Sequence, residues 1–322
     1  MIKKLKTLQS GMSLVELMVA LVIGLFLTAG VFSMFSMSSS NVTTTSQFNQ
    51  LQENGRIALA ILDRDISQVG FFGDMTGTDL SGATIDNVVP AANDCIGSGL
   101  NNASLPNNQP ANFRFLWGYE NTVSANVLGC LASSNVKPST DVLQLKRLIG
   151  PSTTPNGSNF FVSASNSKAV FFSGLLPSES EPSARTWEYQ HHVYFIDDED
   201  DVPVLSRKNL TKNGMNNDEQ LVQGIENIRY LYGVDSTGDS TPEQYLAASN
   251  ITSNIWDNSG LRRIVAVKIF LLVRSIQPDW SYTNKTSYSL GDKDVAPPDD
   301  NFRRKIMSST VYLENPVLIQ GL

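Results

Sequence analysis

From Leu17 to Phe35 the chain runs 19 residues without a charge, and between Lys6 and Glu53 it carries only one, Glu16. At 1.5 Å per residue that run is long enough to cross a bilayer as a helix. It therefore predicts a membrane helix at the N-terminus with the rest of the chain on one side. Lys3, Lys4 and Lys6 precede it, which predicts a cytoplasmic N-terminus and a translocated body. A cleaved secretory signal needs a shorter apolar core and an A-x-A-like site, and Ser33 to Asn41 supplies none. Glu16 is the anomaly. Ser13 and Glu16 fit S-x-x-E, a capping box, and a first-turn carboxylate suits the helix dipole. Capping does not explain an acid inside an apolar run, where an ionised side chain costs roughly 2.5–3.5 kcal/mol at mid-bilayer and less near an end. Such a residue usually has a partner.

Past the apolar run the helix pattern continues. Phe48, Leu51, Gly55, Ala58, Leu62, Ile66 and Val69 step by three and four residues, a narrow apolar stripe on a polar helix. Glu53, Arg56, Asp63, Arg64 and Asp65 are read as lying mostly off it. A continuous helix from Ser13 to Val69 would be roughly 85 Å long. Gly24, Gly30 and Gly55 are places for bending, and Gly70 is the expected terminator. Beyond it, residues 94–110 and 150–159 are dense in Asn, Ser, Pro and Gly and read as loops. Strands are expected at Phe113–Tyr119, Asp141–Leu148, Lys168–Ser173, Tyr189–Ile196, Arg262–Arg274 and Ile306–Leu313. In the fifth of these, Val265, Val267, Ile269, Leu271 and Val273 share one parity and Lys268 and Arg274 the other, so one face should pack on the long helix. The expected fold is α+β: a long N-terminal helix, its first half transmembrane and its second amphipathic, packed on a C-terminal antiparallel β-sheet domain with long loops. The segments are a leader over 1–11, a membrane helix over 12–35, an amphipathic helix over 36–70 and a β-rich body over 71–322.

The net charge is −7, and losing Lys3, Lys4 and Lys6 with a leader would make it −10. A body of that sign offers no basic surface for nucleic acid. Cys95 and Cys130, the only cysteines, both follow the membrane run, so both are expected outside the cytoplasm and joined as a disulfide, with two free thiols as the alternative. Adjacent His191 and His192 would point to opposite faces of a strand, which suits structural roles better than a shared metal. No G-x-S-x-G elbow, P-loop or dinucleotide fingerprint occurs in the sequence, and no catalytic constellation is read from it. Asp197 to Asp201 is read as a solvated turn, with a calcium site as the alternative.

The opening residues match a known signal. Gly11-Met12-Ser13-Leu14-Val15-Glu16 followed by Leu17-Met18-Val19-Ala20-Leu21 resembles the class III leader of type IV pilins and type II secretion pseudopilins. The resemblance implies cleavage after Gly11 by a prepilin peptidase, N-methylation of Met12, and a role for Glu16 in docking subunits into a helical filament. The new amine of Met12, on a neighbouring subunit, would be the partner of Glu16. Most relatives carry Phe where this chain has Met12. Gln50 to Arg56, Leu62 to Ile66 and Val69 to Gly73 resemble the post-membrane signature of PilW-type minor pilins; Val222 to Asp235, Arg263 to Arg274 and Arg303 to Val311 resemble that family's C-terminal blocks. Residues 76–215 match weakly. PilW relatives often read DTDGDG where this chain has Asp235 to Ser240; Thr237 and Ser240 depart from that pattern, so a hairpin turn is the expected structure there and calcium the alternative.

The resemblance implies a structural protein and no cofactor. It would be a subunit anchored once in the inner membrane, with its body in the periplasm and then on the pilus at the cell surface. Its partners would be other minor pilins, the major pilin, a PilY-type tip adhesin and the prepilin peptidase. Its roles would lie in initiating, priming or capping the pilus, and so in adhesion, twitching or DNA uptake. A J-type minor pseudopilin of type II secretion is the first alternative, and a membrane-anchored enzyme the second.

Overall fold

The computed structural model describes residues 11–317 except 79, 81–84, 87–92, 108–111, 123–126, 152–153, 179 and 198–200. Residues 1–10 of the expected leader and the centre of the acidic run, Asp198 to Asp200, therefore lie outside the described residues. The first element, α1, spans Leu14–Ile66. The chain divides into two compact units between Asn49 and Gln50.

In the first unit the helix is long and apolar enough to cross a membrane. Leu17, Phe26, Phe32 and Phe35 all face outward and are exposed. Thr28 turns its hydroxyl back onto the Gly24 carbonyl at 2.8 Å, the usual way a helix interior satisfies a hydroxyl in apolar surroundings.

The second unit begins with the amphipathic part of α1. Leu51, Ala58, Leu62, Ile66 and Val69 are buried as the stripe predicts. Gly55 lies on that stripe for closeness and not for bending. A Cβ there would run into Met307 Sδ and stand 3.0 Å from Val273 Cγ2, so a larger residue would make the Met307 side chain shift. The helix stops at Ile66, short of the expected Val69. A tightened turn follows, in which Val69 N–H donates to Ile66 O at 3.1 Å. Gly70, at φ 71°, then donates to Lys146 O at 3.2 Å and takes the chain off the helix axis.

Among the described residues fourteen strands follow: β1 Ile85–Asp86, β2 Leu116–Glu120, β3 Asp141–Ile149, β4 Phe160–Ala164, β5 Ala169–Phe172, β6 Arg185–Asp197, β7 Val204–Asn209, β8 Asp218–Gln223, β9 Ile225–Asp235, β10 Gln244–Ala247, β11 Arg263–Arg274, β12 Tyr288–Leu290, β13 Lys293–Val295 and β14 Arg304–Tyr312. The larger sheet has the order β1-β5-β4-β6-β3-β2, with β7 on β6 and β8 on β7. Strand β6 organises it. Its first half pairs with β4, its second half with β7, and β3 lies along its other edge. Every pair in this sheet is antiparallel except β1 with β5. The second sheet, β10-β9-β11-β14, is antiparallel throughout. The fold class is the α+β arrangement expected.

From Val267 onward strand β11 packs as its parity predicts: Val267, Ile269, Leu271 and Val273 share one core with Leu51, Ala58, Leu62 and Ile66 of α1, but a bulge between Ile264 and Ala266 breaks the alternation and puts Ile264 in that core in place of the expected Val265. Its other face is also covered, which the pattern did not indicate. Leu272 joins Tyr288 and Leu290 of the small β12–β13 hairpin in a separate cluster, with Phe270 packed against it. Two contacts, one from β14 and one from just after it, fasten α1 and the turn that follows it. Ser309 donates to Asp63 Oδ2 at 2.9 Å, and Asn315 Nδ2 donates to Val69 O at 3.1 Å.

Candidate functional site

The helix start is built by Ser13, Glu16 and Leu17. Ser13 N–H donates to Glu16 Oε2 at 2.9 Å, and Glu16 N–H donates to Ser13 Oγ at 3.2 Å. This is the reciprocal capping box the sequence suggests, and it satisfies two of the amides that a helix N-terminus leaves open. Leu17 N–H donates to Ser13 O at 3.2 Å and closes the first turn. Glu16 is exposed, and so are the apolar side chains that follow it. Gly11 and Met12 are exposed just before the cap. Among the described residues nothing lies within 4 Å of where a Gly11 Cβ would be, and its φ is not in the left-handed region. Neither packing nor backbone conformation requires glycine at that position.

The cysteines are joined: Cys95 and Cys130 form a disulfide, and neither is free. Cys95 is buried in the main core. The segment around it is bound to the larger sheet by polar side chains of β3 and β6. Lys146 Nζ donates to Ala103 O at 2.7 Å and Asn102 O at 3.2 Å; Asn102 Nδ2 donates to Gln144 Oε1 at 2.8 Å; Tyr189 Oη donates to Ser104 O at 2.5 Å. Burial drives the Lys146 pKa well below its ordinary value. Thiol alkylation without reductant is expected to label neither cysteine. Replacing both with serine is expected to lower stability by about 3–4 kcal/mol, as the chain-entropy relation gives for a loop of this size. A loss below about 1 kcal/mol in chemical denaturation would mean that the sheet holds the loop without the bond.

The two histidines face opposite sides of β6, as expected. His191 is held by Gln144 Nε2 at 2.8 Å and Ser104 Oγ at 3.1 Å, fully enclosed. His192 points to the other face and meets Asp65 Oδ2 at 2.5 Å. Asp65 corrects the reading of α1. It was placed off the apolar stripe, but it is buried, three residues after Leu62, with Arg147 Nε at 2.6 Å and Tyr194 Oη at 2.6 Å as further donors. Burial alone would raise its pKa; the hydrogen bond from His192, the charge of Arg147 and the Tyr194 hydroxyl outweigh it and hold the carboxyl well below the usual range. Burial likewise pushes His192 down against the pull of Asp65, so the imidazole is neutral and donates its Nδ1–H. The legible clue was an acid at a stripe position in the last helical turn.

Asp235, Asp239 and Glu243 place carboxylate oxygens within 4.8 Å of one another. Three carboxylates are a hard-cation donor set, but here the loop's own donors engage them. Asp235 accepts the N–H groups of Thr237, Gly238 and Ser240 at 2.8, 2.7 and 2.8 Å, and Glu243 accepts Ser236 N–H and Thr237 Oγ1 at 2.7 Å each. The segment is the β9–β10 hairpin turn, built on an Asp that bonds the backbone ahead of it.

The sequence profile of the prokaryotic N-terminal methylation motif matches residues 6–32, and that of type IV pilus-assembly protein W, PilW, matches residues 193–315. No curated protein and no solved structure matches the chain. The first profile falls on the capped helix start and the exposed apolar run. The second runs from within β6 through β14, taking in the sheet that buries the second part of α1. The two profiles together support a PilW-type type IV pilin.

Proposed function

We propose that this minor pilin is cut after Gly11 by a prepilin peptidase, methylated on the new N-terminus at Met12, and built into a type IV pilus, where it primes or caps assembly. The observation that carries this reading is the exposed apolar helix headed by Glu16. A contiguous apolar surface of this kind needs lipid or protein to cover it, and residues 12–35 would meet lipid first and neighbouring helices afterwards. In the filament Glu16 would pair with the Met12 amine of an adjacent subunit, so that its charge stands in lipid only until assembly. Gly11, which this fold does not itself require, fits the peptidase's need for a small residue at the cut.

The remaining parts follow from the same reading. Residues 36–70 continue the helix into the body, and residues 71–322 form an extracytoplasmic domain, periplasmic before assembly and on the cell surface after it. Other minor pilins, the major pilin and a PilY-type tip adhesin are the expected partners, and adhesion, twitching and DNA uptake the processes served.

Deletion of the gene tests the role, with surface pili counted in cells that can and cannot retract pili. A priming subunit should leave few pili when retraction is active and restore them when it is blocked. Unchanged pili in the retracting background would sink the assembly role.

A further inference from the structure

The second sheet ends on an open strand. In the order β10-β9-β11-β14, strand β14 has a neighbour on one side only. Its ladder with β11 decides which backbone groups are left over. Leu313 N–H donates to Val265 O at 2.8 Å, so these two residues form a hydrogen-bonded pair. The register from Ala266↔Tyr312 to Arg274↔Arg304 is unbroken, and hydrogen-bonded pairs alternate along an antiparallel ladder. Val311, Ser309, Met307 and Lys305 are therefore the residues bonded to β11. The N–H and C=O groups of Ile306, Ser308, Thr310 and Tyr312 point off the sheet, and among the described residues none supplies a partner for them.

Folded proteins blunt such edges with short strands, charges, proline or a bulge, because an open ladder invites another chain. Among the described residues the other strands that end a sheet are short: β1, β2, β8 and β10 have 2, 5, 6 and 4 residues. Strand β8 also carries Asp218 and Glu219, both in ion pairs. Strand β14 has nine residues, and from Ile306 to Tyr312 it holds no charge, proline or bulge. Ser308, Thr310 and Tyr312 are exposed on its outer face, while Met307 and Ser309 turn to α1. A second copy of this chain suits the edge poorly. Helix α1 runs along β14 in the same direction, with Gly55 at Met307, Asp63 at Ser309 and, past the strand, Val69 at Asn315. Antiparallel pairing of two β14 edges would point two copies of α1 in opposite directions, whereas subunits rooted in one membrane or one filament share a direction.

We infer that β14 takes up, as a fifth strand, an extended segment of a different polypeptide, another subunit of the pilus. The inference rests on the reading of this chain as a pilus subunit. Backbone bonds to Ile306, Ser308, Thr310 and Tyr312 would supply the affinity, and side chains on alternate positions the register. On the α1 side the incoming strand would extend the row of Met307 and Val311, which suits apolar residues. On the other side it would lie beside Ser308, Thr310 and Tyr312, which suit threonine or aromatic neighbours. The occupant is thus a segment of alternating apolar and polar or aromatic residues.

Two measurements on the full-length protein test this. A benzophenone amino acid placed at Ser308 or Thr310 should photo-cross-link in whole cells to one other pilus subunit, and the same group at Ser289, exposed on the β12–β13 hairpin, should not. Ser308→Pro and Thr310→Pro each delete one outward N–H and leave the ladder to β11 whole. Each should lower the subunit in sheared pili relative to membranes about fivefold or more, with thermal unfolding in detergent micelles unchanged. Ser308→Ala and Thr310→Val keep the N–H and should incorporate as the wild type does. Proline variants that fold and incorporate normally overturn the site, and so does the absence of a cross-link from both positions. If the proline variants unfold, the cross-links alone decide. A cross-link between two copies overturns the choice of partner. Wild type missing from sheared pili while the cross-link to another polypeptide persists would sink the pilus reading and keep the strand site.

Discussion

Glu16→Gln is expected to remove this subunit from pili as completely as Glu16→Ala. The comparison separates two roles that the glutamate combines. In the structure Glu16 completes a capping box with Ser13, and glutamine serves that box nearly as well as glutamate. Losing the cap altogether costs roughly 1 kcal/mol. A carboxylate buried against an amine in a filament is another matter, since breaking a buried pair costs roughly 3–5 kcal/mol. If the charge docks the subunit, both variants should fall at least about tenfold in sheared pili relative to membranes at native expression. If Gln incorporates normally and only Ala fails, the residue is a cap and the docking role is wrong.

Asp65→Asn should be strongly destabilising to the body. Three donors converge on this carboxylate, and removing its charge leaves the Arg147 guanidinium buried opposite a neutral amide. The expected loss is about 3–5 kcal/mol, visible as a lower urea midpoint with little change in slope. A loss under about 1 kcal/mol would show that water or Gln68 compensates Arg147. The pH dependence has a definite sign. The folded pKa of Asp65 is depressed, so its contribution is complete above the unfolded value of about 3.9 and disappears as pH falls through the folded value. His192 acts in the same direction from a higher starting point. It is held neutral in the fold, so protonation of the unfolded chain erodes stability as pH drops below about 6.5. These two groups should therefore weaken the wild type on acidification from pH 7, while Asp141, pushed up to about 6 by burial, works the other way between about 6 and 3.9; Asp65→Asn should flatten the lowest part of the limb.

The sequence made visible those elements whose cause is local. The charge-free run, the stripe from Leu51 to Val69, the Ser13–Glu16 box and the strands rich in Val, Ile, Leu and Phe all express nearest-neighbour periodicity. Strand β6 is a partial case: it was expected from Tyr189 but starts at Arg185, because its first half is stabilised by pairing with β4, a strand that was not foreseen. Strands β7 and β8, with the sequences Val-Leu-Ser-Arg-Lys-Asn and Asp-Glu-Gln-Leu-Val-Gln, are too polar to announce themselves, and exist because each finds a neighbour's edge. Strand β9 lay inside a stretch that the family resemblance had marked without showing its conformation. Asp65 could be seen at a stripe position, but the set of donors around it was illegible for a physical reason. The partners of Asp65 lie 82, 127 and 129 residues away, and no window of sequence holds them together.

The attachment of α1 by the last strand sets the order in which this protein can be born. The helix is made first, but Met307 against Gly55, Ser309 on Asp63 and Asn315 on Val69 are made long after it, the two hydrogen bonds closing loops of 246 residues. Such contacts reward the chain only after a long loop has closed. Asp65 can meet Arg147, His192 and Tyr194 sooner, so the helix is seated in two stages. Its last fastening has to wait until β14 has left the ribosome.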